Sequence, residues 1–249
     1  MTISKLERKL LHYTGKAIAD YAMIQTGDRV LVCLSGGKDS LVLTYILWRL
    51  QWRTNHKFKI QVFILDQGLP NFDASKMCAW LEKNEIPYVL KKEDTYSIVK
   101  QKSKDNAHCM LCSRLRRGII YSYARTNGFN KIALGHHRDD LITSLLMSIF
   151  YKGEISSMPP KLLTNDQTNI VIRPLCYCQE QDIKRYAETK GFPVNQSNLC
   201  ASKENVTRKR VGELIAQLAK ENPKIPSNML HALQRVKPSQ LMDRLLWRG

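Results

Sequence analysis

RVLVCLSGGKDS, residues 29–40, decides the reading of the chain. Arg29 to Leu34 is a short apolar, β-branched run, as expected of a buried strand. Ser35-Gly36-Gly37 breaks the pattern, and residues 39–53 then follow helical spacing through Leu41, Leu43, Tyr45, Ile46, Leu47 and Leu50. A glycine turn between a strand and a helix lies at the carboxyl edge of a parallel sheet. There the helix N-terminus offers free N–H groups and a positive dipole to an anion. The two glycines let backbone amides approach closely, Ser35 and Ser40 add hydroxyl donors, and Lys38 adds a point charge. The loop is not a Walker A motif, because Val32 stands where the first glycine belongs and Asp39 follows the lysine in place of Ser or Thr. Nor is it GxGxxG.

The same alternation continues outward. Residues 3–24 have helical spacing. Strands are predicted at 59–65, 88–90, 131–134 and 170–172, and helices at 73–84, 112–127, 137–151 and 179–190. Strands alternating with helices predict an α/β fold, a parallel doubly wound sheet covered on both faces. From about residue 205 the pattern is purely helical, with Pro223 and Pro226 separating helices at 205–221 and 227–236. The reading therefore divides the chain into an N-terminal helical segment (1–28), an α/β domain (29–204) and a helical C-terminal extension (205–249). Lys100 to Asn106 reads as a mobile polar loop before a cysteine pair.

With 249 residues the chain holds one large domain, or one plus an appendage. Lys+Arg 39 against Asp+Glu 22 gives a net charge of +17, which attracts a polyanion and points to nucleic acid as a partner. No apolar run approaches the ~18 residues of a membrane span, and the N-terminus lacks the pattern of a secretory signal. A cytoplasmic protein with no membrane association is expected. Seven cysteines, an odd number, favour thiolate chemistry or metal binding over a disulfide framework. Cys109 and Cys112 form a C-x-x-C, which by itself fits a redox pair, half a zinc site or chance. Cys33 reads as a buried strand thiol and Cys78 as core, whereas Cys176 and Cys178 would point opposite ways on an extended segment. Arg114, Arg116 and Arg117 follow the C-x-x-C, and Lys203, Arg208, Lys209 and Arg210 follow Cys200. Arg173 is a further basic candidate. Gly135 ends a predicted strand, and beyond it His136, Asp139 and Asp140 share one helical face.

SGGKDS resembles the pyrophosphate loop of the ATP pyrophosphatase superfamily, whose enzymes split ATP between its α and β phosphates and adenylate an oxygen of the substrate. HCMLCSRLRRG (108–118), ALGHHRDD (133–140), MPPKL (158–162), VIRPL (171–175) and SNLC (197–200) resemble, in order, motifs of the tRNA 2-thiocytidine biosynthesis family. The resemblance implies an adenine-nucleotide α-hydrolase type of fold. It implies that Ser35, Gly36, Gly37, Lys38, Asp39 and Ser40 hold the pyrophosphate end of ATP, and that Asp66 lies where the adenine binds. Gly135, His136, Asp139 and Asp140 would close the site, with Asp39 and Asp140 placing Mg²⁺.

By the same resemblance Cys109, Cys112 and Cys200 hold a [4Fe–4S] cluster with one iron open to a sulfur nucleophile. A structural zinc held by the same cysteines and His108 is the competing arrangement. If the three cysteines meet, the two basic runs meet beside them and can face a tRNA backbone. The implied reaction makes 2-thiocytidine at position 32 of the anticodon loop, with a cysteine desulfurase as sulfur donor and a homodimer as the assembly. A tRNA uridine 2-thiolase is the nearest alternative; the paired-cysteine modules of such enzymes have no counterpart here, since no cysteine precedes Cys33 or follows Cys200. A non-catalytic zinc-stabilised RNA-binding module is the alternative of another class, and it predicts indifference to Asp39→Ala.

Overall fold

A computed structural model describes residues 3–54, 56–70, 72–102, 108–164, 166–195 and 203–246. Cys200 and the rest of 196–202, residues 103–107 (which include 103–106 of the expected mobile loop), and the side chains of His108, Cys109 and Lys203 lie outside the described residues. Contacts divide the chain into two compact units, residues 1–138 with 159–205 and residues 139–158 with 206–249.

The first unit is the α/β body. Its helices are α1 (Lys5–Asp20), α2 (Lys38–Leu50), α3 (Ser75–Lys83), α4 (Thr95–Lys102), α5 (His108–Thr126) and α7 (Glu180–Lys190). Its strands are β1 (Arg29–Leu34), β2 (Lys59–Asp66), β3 (Tyr88–Lys92), β4 (Lys131–Ala133), β5 (Lys161–Leu163) and β6 (Ile170–Ile172). They form one sheet in the order β3-β2-β1-β4-β6-β5. The first five in that row run parallel, with Arg29 opposite Lys59 and Val30 opposite Lys131.

Alternation along β1 serves both faces of the sheet. Leu31 and Cys33 pack with Phe63, Leu65 and Ile132 against Ile120 and Ala124 of α5. Val30, Val32 and Leu34 point the other way and are equally buried. Near α2 and α7 an aromatic group of Tyr45, Trp80, Tyr186 and Phe192 packs with ring centroids 5.1–6.4 Å apart. Buried Glu7 of α1 is balanced by Arg49 Nε at 3.6 Å and Lys190 Nζ at 3.1 Å, as a buried charge requires.

Several expectations are corrected. The sheet is not wholly parallel, because β5 pairs antiparallel with β6 at the edge. With Leu162 and Leu163 half-exposed, its three residues carry no alternation to read. Lys100 to Lys102 end helix α4 and are not loop. Cys176 and Cys178 lie in a turn and not on an extended segment, so both thiols point inward and are buried. Cys178 Sγ lies 3.6 Å from Thr14 Oγ1. Burial pushes both thiols up to about 12. Cys78 is half-buried.

The second unit contains α6 (Arg138–Lys152) from residue 139 on, α8 (Lys203–Glu221) from residue 206 on, and α9 (Ile225–Gln234). Ile142, Val211 and Ile215 form its core, with Leu146, Met147, Met229 and Leu230 packed around them. Among the described residues no helix is long and apolar enough to cross a membrane.

Candidate active site

The sheet order reverses between β1 and β4: β2 and β3 lie on one side, β6 and β5 on the other. Ligands bind at such a switch point, outside the carboxyl ends of the strands. Residues 35–37 after β1 and 134–137 after β4 meet at this edge. Gly36 has φ +87°, and a Cβ there would lie 3.1 Å from Asn195 Cβ and 3.2 Å from Met77 Sδ. Glycine is therefore needed for both conformation and space. The turn is closed by Ser40, whose Oγ accepts from Ser35 N–H and Ser35 Oγ–H, each at 3.2 Å, and donates to Gly37 O at 2.9 Å. Gly37 caps α2 without a side-chain bond. The first-turn amides of Lys38, Asp39 and Ser40 have no intrahelical acceptor and can receive phosphate oxygens.

Lys38 Nζ lies 3.1 Å from Asp39 Oδ1 and 2.9 Å from Glu180 Oε1. Burial alone would push its pKa down, but the two carboxylates outweigh that and hold it above the usual lysine value. Asp39 Oδ1 also lies 3.6 Å from Nε2 of buried His137. A Cβ on Gly135 would meet the Asp39 carbonyl carbon and the Ser40 nitrogen at 3.1 Å, so the second loop lies directly on the start of α2.

His136 Nδ1 accepts from Arg173 Nε at 3.2 Å, and Arg173 Nη1 donates to Pro159 O at 2.5 Å. Arg173 is thus corrected as an RNA contact: it is 8% exposed and spends donors inside the protein.

Beside the phosphate loop a small cavity of about 70 Å³ is lined by Cys33, Ser35, Leu65, Gln67, Phe72 and Arg116 among others. Asp66 ends β2 next to it and accepts from Gly68 N–H at 3.0 Å. Gln67, not Asp66, enters the lining. Its Oε1 accepts from Thr95 Oγ1 at 3.3 Å and from Cys112 Sγ at 3.6 Å. Burial pushes the Cys33 thiol up to about 12, against the opposing pull of Arg116, so Cys33 is no nucleophile at neutral pH. Half-buried Cys112 offers a soft sulfur donor suited to an iron–sulfur group, and Cys109 precedes it by three residues in α5. No metal-binding group of three His, Cys, Asp or Glu occurs among the described residues.

Arg114 and Arg117 are exposed on α5, while Arg116 is half-buried and turned to the cavity. Within the second unit, Asp139 and Asp140 stand in the first turn of α6. Arg208 Nη1 lies 3.8 Å from Asp140 Oδ1 and Lys209 Nζ lies 4.0 Å from Glu213 Oε1. Arg210 is exposed. Sequence reasoning missed His137, Gln67 and Glu180. His137 was legible beside His136, but Glu180 comes from a distant helix with no local signal.

Residues 3–217 match the PP-loop domain family, which defines the class of the protein. A tRNA-cytidine(32) 2-sulfurtransferase of Legionella pneumophila (strain Paris) is 60% identical over 245 residues, 98% of this chain and 87% of that one. One of Coxiella burnetii (strain RSA 331 / Henzerling II) is 57% identical over 248 residues, 99% of this chain and 97% of that one. The chain belongs to this sulfurtransferase family within the PP-loop class. Among solved structures, the U34-tRNA thiolase NcsA from Methanococcus maripaludis with its [4Fe-4S] cluster has a TM-score of 0.73, covering 94% of this chain and 80% of that one. At 17% identity that likeness is one of fold.

Proposed function

We propose that this enzyme converts cytidine 32 of tRNA to 2-thiocytidine at the cost of ATP. The single observation carrying this reading is the phosphate-binding turn at the switch point in a chain 60% identical to a tRNA-cytidine(32) 2-sulfurtransferase. The base oxygen O2 is a poor leaving group, which explains the need for ATP. O2 attacks the α-phosphorus, the O–P bond forms, and the bond to pyrophosphate breaks. A sulfur nucleophile then adds at C2, the C2–O bond breaks, and AMP leaves.

Ser35, Gly36, Gly37, Lys38 and Ser40 receive the pyrophosphate end, and Gly135, His136 and Asp139 close the site around it. Asp39 and Asp140 hold Mg²⁺, a hard cation that prefers carboxylate and phosphate oxygen. Asp66 lies toward the adenine. Cys109, Cys112 and Cys200 hold a [4Fe–4S] cluster, which supplies the sulfur-transfer chemistry when bound. Arg114, Arg116, Arg117, Lys203, Arg208, Lys209 and Arg210 face the tRNA backbone. A cysteine desulfurase delivers sulfur to a cytoplasmic homodimer.

Nucleoside mass spectrometry of bulk tRNA from cells with and without the gene tests the reading. Loss of 2-thiocytidine alone is expected. Loss of 2-thiouridine would move the protein to the uridine branch, and unchanged thionucleosides would overturn the proposal.

A further inference from the structure

Three of the sequence motifs meet at one buried guanidinium. Arg173, from VIRPL, directly follows β6. Its backbone N–H donates to Pro160 O at 2.8 Å and its Nη1 donates to Pro159 O, so it holds the MPPKL segment. Its Nε donates to His136 Nδ1 at 3.2 Å, so it also holds the loop after β4. That loop is drawn alongside by the sheet itself, since Leu134 N–H donates to Ile172 O at 3.0 Å.

The chemistry of the Arg173–His136 bond is one-sided. A guanidinium has five donors and no acceptor, and it keeps its proton at neutral pH. Nδ1 of His136 must therefore present its lone pair. A neutral imidazole whose Nδ1 accepts carries its proton on Nε2. A proton on Nδ1 would set two donors face to face across this bond. His136 lies between Gly135 and His137, and both of those neighbours pack on Asp39 at the start of α2.

The geometry points to Arg173 as a positioning residue that fixes His136 as a neutral Nε2–H donor for the phosphates of the bound nucleotide. This rests on the ATP-site reading above and adds what the second loop contributes to it. Phosphate oxygens only accept hydrogen bonds, so a locked donor is useful there. The same lock denies His136 the roles of general base and metal ligand through Nδ1. It also gives the MPPKL segment a purpose, because Pro159 and Pro160 supply carbonyls that hold the guanidinium in place.

The test needs no variant for its first arm. Long-range ¹⁵N–¹H spectra of the full chain labelled at its six histidines, with His136→Gln to assign the signal, report the tautomer without nucleotide. The expected result is a proton on Nε2 and a bare Nδ1 at neutral pH. A proton on Nδ1, or an imidazolium, overturns the inference. In the second arm Arg173→Met shifts that signal toward a tautomer mixture and weakens binding of α,β-methylene ATP by about tenfold or more. Arg173→Lys keeps the charge but loses the rigid planar fork that aims Nε at His136 and Nη1 at Pro159, and it is expected to behave like Arg173→Met. Wild-type behaviour of Arg173→Lys would show that charge alone suffices and would overturn the clamp. A wild-type chain with the expected tautomer that binds no nucleotide would overturn the ATP-site reading, and with it the donor role, while leaving the tautomer lock standing.

Discussion

Glu180 Oε1 lies 2.9 Å from Lys38 Nζ, so a carboxylate from α7 sits on the lysine of the phosphate loop. A nucleotide phosphate would use the same ammonium and would be repelled by the same carboxylate. Glu180→Gln is therefore expected to lower the KM for ATP. The pair is half-exposed, so the gain is about two- to fivefold, the scale of a solvated ion pair. Titration of activity against ATP measures it, and an unchanged or raised KM would show that Glu180 instead holds Lys38 in a useful pose.

Gly135→Ala would place a methyl group 3.1 Å from the Asp39 carbonyl carbon and the Ser40 nitrogen. Backbone cannot yield as a side chain can, and overpacking of this kind costs about 1–3 kcal/mol. The displaced atoms belong to the turn proposed to bind phosphate, so binding suffers more than folding. ATP affinity is expected to fall by about tenfold, with a thermal midpoint within a few degrees of wild type. Equilibrium binding and thermal denaturation together check this.

Native alkylation sorts the cysteines by thiolate content. With pKa values near 12, Cys33, Cys176 and Cys178 hold about one thiolate in ten thousand at pH 8, and all three are buried. Iodoacetamide is expected to modify half-buried Cys78 and Cys112 first. Raising the pH toward 12 increases the thiolate fraction of the buried three, but burial still delays them. Reconstitution with iron and sulfide should then protect Cys109, Cys112 and Cys200 while leaving Cys78 reactive. Peptide mass spectrometry reads each position, and a Cys112 that stays fully reactive after reconstitution would count against its place in the cluster.

Arg114 and Arg117 lie three residues apart on α5, exposed and on one helical face. If both meet tRNA phosphates, their joint replacement by alanine weakens binding most at low salt. The slope of log K against log salt is expected to become shallower by about 1–2. Filter binding of tRNA at several salt concentrations measures the slope, and an unchanged slope would place the RNA elsewhere.

Much of the site was legible because its signals are local. β1, the glycine turn and α2 adjoin one another in the chain, and their pattern switches from strand to helix across Ser35–Gly37. The two loops of the switch point were readable as glycine-containing breaks after apolar runs. The edge strand β5 was not readable, because three half-exposed residues carry no periodicity. Cys176 and Cys178 misled for a related reason: an extended segment was assumed, and a turn after Pro174 sends both thiols inward. Arg173 looked like a surface cation, since nothing beside it in the chain shows that Pro159 and His136 will receive its donors.

The sequence by itself determined the α/β class, the phosphate turn and the family, because each depends on residue types at short, fixed spacing. Only the tertiary structure decided the strand order β3-β2-β1-β4-β6-β5, and with it that the turn after β1 lies beside the loop after β4. It alone decided that Glu180 reaches Lys38, that His137 reaches Asp39 and that Arg173 holds His136. Those partners come from separate strands and helices. Burial and hydrogen-bond satisfaction select them only once the sheet has closed, so no local pattern in the chain encodes them.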